Sequence, residues 1–294
     1  MSHFRHAPYA QGARPFSIGL KPLDPATMFE PDARLAADLA EKDRLITDTR
    51  DVVWRELPES RAIQAEVLAY MADHLPKTFP EVYRRSEDGM EIAGSRPVRF
   101  ADEPPLLSAA RMVQEDLLVL SGQGRGHRLV AASVSFPSSW SLADKFGGDL
   151  DHVHAAVPGY ESDLAARMGR IFDNAKVGIP MWRLNWSLYP DAILHHPQSK
   201  QRPRDWFGAG GDGAYVRVER QTLSRLPQTG AILFTVKILV DPVSAMRTHP
   251  EGRALASGLA AQIRGLNEEQ RAYKALDGHA EEIAAFLDQV AAEA

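Results

Sequence analysis

Apolar and polar positions follow a helical period early in the chain, an alternating one in its middle and a helical one again at its end. Leu35, Leu39, Lys42, Ile46, Thr49 and Val53 recur at three- and four-residue spacing, with Glu41, Asp43 and Arg44 mostly opposite. This predicts a helix from near Asp32 with one stripe on a core. A second helix is expected over about Arg61 to Leu75: Ser60 offers a cap, Ile63, Val67, Met71 and Leu75 form the stripe, and Pro76 stops it. Ahead of both, Met1 to Lys21 is polar and irregular, and Pro22, Pro25 and Pro31 punctuate an extended lead-in. Tyr83 to Pro105, rich in Arg, Glu, Gly and Pro, reads as a long loop with the makings of a lid.

From Val113 the alternation sets in. VQEDLLVL pairs naturally with RLVAASVSF across the turn Ser121 to Gly126, a hairpin whose second strand stops at Pro137. Ser138 or Ser139 can cap a short helical turn near Trp140, and Gly147-Gly148 break it. A second short element, opened by Asp149 or Asp151, carries His152 and His154 and ends at Pro158-Gly159. On a helix these two imidazoles point about 200° apart, which disfavours a shared metal. Leu164, Met168, Ile171, Phe172 and Ala175 give a helical stripe ending near Gly178. Strands are expected at Met181 to Tyr189, Tyr215 to Arg225 and Ala231 to Val240, with a polar, glycine-containing, mobile connection at His195 to Ala214. Helical spacing returns in Arg253 to Arg264 and Glu281 to Val290.

If Leu226 pairs with Ala231 across the PQTG turn, then Leu223, Gln221, Glu219 and Arg217 stand opposite Phe234, Val236, Ile238 and Val240 on one sheet face. Half of that row is apolar, so Arg217, Glu219 and Gln221 should face a shielded cavity or form a structural ion pair. Arg220 falls on the other face. In MWRLNWSLY, Arg183 and Asn185 share a side with Met181, and the tryptophans share the opposite one, beneath the terminal helices.

Composition narrows the chemistry. The 294 residues, 44% hydrophobic, support a substantial core, and the absence of cysteine excludes disulfides, thiolate-ligated haem and iron-sulfur clusters within this chain. The opening MSHFRHAPYAQG has no apolar signal-like region, and the longest apolar run, AILFTVKILV, contains a lysine, so a cytoplasmic protein is expected. A net charge of -5 makes neither nucleic acid nor membrane an expected partner. The glycine runs SGQGRG and GAGGDG each open a strand, not the helix that a nucleotide loop requires, and no GxSxG, HExxH or P-loop is present.

FPSSWSLADKF, the histidine heading VPGY, RLNWS (Arg183 to Ser187), VRVERQTLSRLPQTGAILFT (Val216 to Thr235) and the opening IGLKPLDP (Ile18 to Pro25) together resemble the haem-dependent oxidative N-demethylase alpha-subunit family. The resemblance runs from about Ile18 to the last helix. It implies an α+β fold with a PAS-like five-stranded antiparallel sheet, an order the predicted strands also follow. Residues 106–242 would form that core, 1–105 an N-terminal helical extension and 243–294 the C-terminal helices of a single haem-binding domain. It further implies that His154 ligates the iron of haem b; the strand registers then put Asn185 on the haem side and Glu219 and Arg217 in the cavity for catalysis, while Arg220 reaches a haem propionate or solvent. The activity implied is oxidation of a small methylated amine with O2 to the demethylated amine and formaldehyde. Without cysteine for an iron-sulfur cluster, electrons are expected from a partner reductase, and the resemblance implies that FMN and a 2Fe-2S centre, fed by NADPH, reside there. The alternative is a haem-binding PAS-type gas sensor or carrier without turnover.

Overall fold

The computed structural model describes residues 3–10, 12, 15–160, 164–198 and 213–294, save the side chain at position 125. In chain order come β1 (Lys21–Pro22), α1 (Leu35–Asp48), α2 (Arg50–Val53), β2 (Trp54–Glu56) and α3 (Arg61–Thr78). Then follow β3 (Tyr83–Arg85), β4 (Gly89–Ile92), β5 (Val98–Arg99), α4 (Pro105–Ala110), β6 (Asp116–Ser121) and β7 (Arg128–Ser133). The middle of the chain supplies α5 (Leu142–Lys145), α6 (Leu150–His154), α7 (Ala165–Asn174), β8 (Met181–Tyr189), β9 (Tyr215–Arg225) and β10 (Ile232–Pro242). Three helices close it: α8 (Gly252–Arg264), α9 (Glu268–Tyr273) and α10 (Ala280–Glu293).

The fold is α+β. Its main sheet is antiparallel and has seven strands, not five, in the order β1-β8-β9-β10-β6-β7-β2. The five long strands are those the alternation predicts. The two extra ones, β1 and β2, are edge strands of two and three residues, too short to show a period. Both come from the N-terminal part of the chain, which is thereby tied into the sheet through Lys21 opposite Trp182 and Trp54 opposite Ser133. The expected pairing of β9 with β10 is found: Leu223, Gln221, Glu219 and Arg217 stand opposite Phe234, Val236, Ile238 and Val240.

Three further expectations are corrected. Tyr83 to Pro105 is no open loop but a second, three-stranded sheet, held down by Tyr83, Met90, Ile92 and Val98, all buried. Helix α3 runs through Pro76 to Thr78, because a proline in the last turn removes a single bond there. Ser60 does not cap it; its hydroxyl donates to the Leu57 carbonyl at 2.6 Å and accepts from Gln64 at 2.9 Å. Residues 199–212, most of the polar connection expected to be mobile, and with them nearly all of GAGGDG, lie outside the described residues.

Alternation sorts the main sheet into two unlike faces. On one, Leu117, Val119, Val130 and Leu233 pack with Leu39, Val67 and Leu107 of α1, α3 and α4, while Trp186, Leu188, Val216 and Val218 lie beneath α8 and α10. The other face presents Leu118, Leu120, Leu129 and Leu223 to Leu142, Leu150 and Phe172 of α5, α6 and α7. Those short helices do not cover it completely, and a cavity of about 1010 Å³ lies between them and the sheet.

Candidate functional site

The turn from β7 into the short helices fixes the first wall of the cavity. Asp116 accepts from the backbone N–H of Ser135 at 2.7 Å and of Phe136 at 3.0 Å, so the chain bends toward the sheet at FPSS. Burial pushes the Asp116 carboxyl up to about 6, against Lys42 and these backbone bonds. Asp149 then caps α6, accepting from the His152 N–H at 2.9 Å, which sets His154 as the helix's last residue.

His154 is held from two sides. Its Nδ1 lies 2.8 Å from the Leu150 carbonyl, which can only accept, so the ring proton sits on Nδ1 and Nε2 keeps its lone pair. After Pro158, Gly159 adopts φ of +74°, a conformation suited to glycine, and returns Tyr160 to stack on the imidazole at 5.0 Å and 15°. The Tyr160 hydroxyl donates to Asp151 at 3.1 Å. Burial, the largest cause, holds the His154 pKa below the usual histidine value; the Leu150 bond opposes this, and Lys145 and Arg183 add to the lowering. The ring is neutral at pH 7 and lines the cavity. His152 behaves differently: it is exposed and donates from Nε2 to the Asp144 carbonyl at 2.6 Å, away from that wall. Gly148 makes room for it, since a Cβ there would overlap the His152 ring.

Strands β8 and β9 build the facing wall. Asn185 stands opposite Glu219 and Arg183 opposite Gln221, and all four line the cavity. Gln221 donates to Glu219 Oε2 at 2.8 Å, and Asn185 reaches the same oxygen at 3.4 Å. Burial pulls the Arg183 pKa down, opposed by Glu219 and Tyr273, and its Nε is buried with no hydrogen-bond partner among the described residues. Tyr273, at the end of α9, brings a phenol whose pKa rises to about 12, chiefly through burial and then through the Glu219 charge. Two wall residues escaped the sequence reading. Asp116 was concealed inside a strand, whereas Tyr273 had a visible signal: Asn267 and Gln270, three apart, form the capping box that starts α9.

Not all the expected residues meet here. His154, Glu219 and Asn185 do, but Arg217 and Arg220 do not line the cavity. Arg217 shares the Glu219 face, yet its guanidinium is spent on Ser138 Oγ at 2.9 Å and the carbonyls of Phe136, Leu194 and Ile193 at 2.8, 2.9 and 3.2 Å. It ties the FPSS segment to the end of the β8 connection. Arg220, on the opposite face, pairs with Glu30 at 3.0 Å and donates to the Met28 carbonyl at 3.1 Å. Both side chains are 1% exposed.

A volume of about 1010 Å³ is not sustained as void: at roughly 24 cal/mol per Å³ it would cost about 24 kcal/mol, more than a domain's whole stability of about 5–15 kcal/mol. It holds solvent or a ligand. Near His154 the walls are Leu118, Leu120, Leu129, Leu150 and Val153, which suit a large apolar group, whereas Glu219 and its neighbours suit a polar one. Among the described residues no three His, Asp or Glu side chains cluster as metal ligands. No helix among them is long and apolar enough to cross a membrane. Residues 19–284, nearly the whole chain, match a family described as haem-dependent oxidative N-demethylase, alpha subunit-like.

Proposed function

Because the chain belongs to the haem-dependent oxidative N-demethylase, alpha subunit-like family, we propose that it is the catalytic subunit of an amine N-demethylase, in which His154 would hold the iron of haem b. The observation that carries this reading is the His154 Nε2 lone pair on the apolar wall of a cavity whose far wall carries Glu219. The residues fit the group: a neutral imidazole oriented by a carbonyl, and apolar walls broad enough for a macrocycle. The five long strands, with the first strand of the hairpin lying beside the last of the three-stranded run, support the PAS-like reading.

Bound haem would supply the dioxygen chemistry. The chain's own residues bind and orient the amine. The Glu219 carboxylate, steadied by Gln221 and Asn185, pairs with an alkylammonium N–H, a charge-assisted bond strengthened in a shielded site. Tyr273, on the same cavity wall, stays protonated at neutral pH. Methylated amine, dioxygen, two electrons and two protons give demethylated amine, formaldehyde and water. The chain has no cysteine for an iron-sulfur cluster, and its family is alpha-subunit-like, so the electrons come from a partner, which we take to be an NADPH-fed FMN and 2Fe-2S reductase.

The test is formaldehyde release from a methylated amine, O2 and NADPH, with and without a flavin and iron-sulfur reductase. Formaldehyde is expected only in the complete mixture, and Glu219→Gln should lower kcat/KM for the amine by about tenfold or more without unfolding the protein. Turnover by the isolated chain would contradict the partner. Haem that binds oxygen but yields no formaldehyde with any methylamine would favour the sensor reading.

A further inference from the structure

Two cations on the cavity wall form no ion pair within 4.0 Å among the described residues. Lys145 is the last residue of α5, and Arg183 lies on β8, at the facing wall. The Glu219 carboxylate acts on Arg183 from a distance while Gln221 holds it. Arg183 Nε is also buried without a hydrogen-bond partner among the described residues, a loss of about 1–3 kcal/mol if nothing completes it. Lys145 and Arg183 both line the same cavity as His154, where burial lowers their own basicity and their charges add to the lowering of the His154 pKa. An unpaired buried cation costs several kcal/mol by rough estimate. Arg183, with its buried Nε, and the partly exposed Lys145 place two positive charges on the walls of the cavity that His154 lines, an arrangement suited to a ligand with two negative groups.

We propose that Lys145 and Arg183 hold the two propionate carboxylates of the porphyrin, an assignment that rests on the haem reading of the cavity. It replaces Arg220, whose guanidinium is committed to Glu30 and the Thr27–Met28 carbonyls on the other sheet face. The Arg183 fork binds a carboxylate through two parallel N–H groups, and Lys145 acts as a point charge.

Metal-free protoporphyrin IX separates the carboxylate contacts from iron ligation, because it keeps the propionates and has no metal. Its binding is followed by quenching of intrinsic tryptophan fluorescence, beside that of its dimethyl ester, in the full-length protein. Lys145→Ala and Arg183→Gln should each weaken the free acid about tenfold, Arg183→Lys less, and His152→Ala not at all. The dimethyl ester should bind the parent more weakly and show no such dependence. Variants that retain native circular dichroism and bind the free acid as tightly as the parent would overturn the assignment alone. A parent protein that bound neither porphyrin nor haem would overturn the haem reading with it.

Discussion

An iron-binding histidine must be neutral, and the surroundings of His154 keep it so. Its folded pKa is depressed, first by burial, so between that value and the ordinary one of about 6.5 the unfolded chain binds a proton that the folded chain does not. The stability this residue protects is therefore complete above about pH 6.5 and declines as the pH falls through that window. Asp116, pushed up to about 6, works the other way: the folded state holds its proton longer, so its contribution falls as the pH rises toward 6. Urea denaturation followed on acidification below pH 6.5 should show His154→Ala losing less stability than the parent; parallel curves would show that His154 is not depressed. Arg217 makes a different prediction. Arg217→Lys should cost about 3 kcal/mol or more, because lysine has no planar fork for the separate carbonyls of Phe136, Ile193 and Leu194. Loss of amine oxidation at unchanged stability would return Arg217 to the chemistry. The period of two was enough to put Glu219 and Gln221 on the cavity wall. It could not show where Arg217 ends, because a long side chain reaches loops whose position depends on the whole fold.

Elements long enough to repeat their pattern were legible, and short ones were not. The pairing of β9 with β10 follows from an apolar row opposite a mixed one and from the PQTG turn, where Leu226 N–H donates to the Ala231 carbonyl at 2.8 Å. That turn has an anchor no local pattern reveals: the buried Glu66 of α3 accepts from the backbone N–H of Gln228 at 2.6 Å and of Thr229 at 2.9 Å. Glu66→Ala strands both donors, and a loss of about 2–4 kcal/mol in thermal or chemical unfolding is expected, at roughly 1–3 kcal/mol per unsatisfied group. A change below about 0.5 kcal/mol would mean that the turn holds itself. The edge strands β1 and β2 and the small sheet β3-β4-β5 have two to four residues each, at most two full periods. Their buried residues therefore read as loop.

At the scale of the molecule, helices from both ends of the chain cover one sheet face, and three short helices leave the other with a cavity. This division of labour lets one face be packed for stability while the other carries polar groups. The charged row on β8 and β9 borders the cavity, and beyond it Phe234 and Val236 of β10 stand opposite Leu118 and Asp116 of β6, all four on the cavity wall. The central claim is that this space is a haem site organised by His154. The most direct measurement is the visible spectrum of the haem-titrated protein and of its His154→Ala and His152→Ala variants. The account predicts a Soret band in the parent that survives unchanged in His152→Ala and is lost or grossly shifted in His154→Ala; identical spectra in all three proteins, or equal loss in both variants, would contradict it.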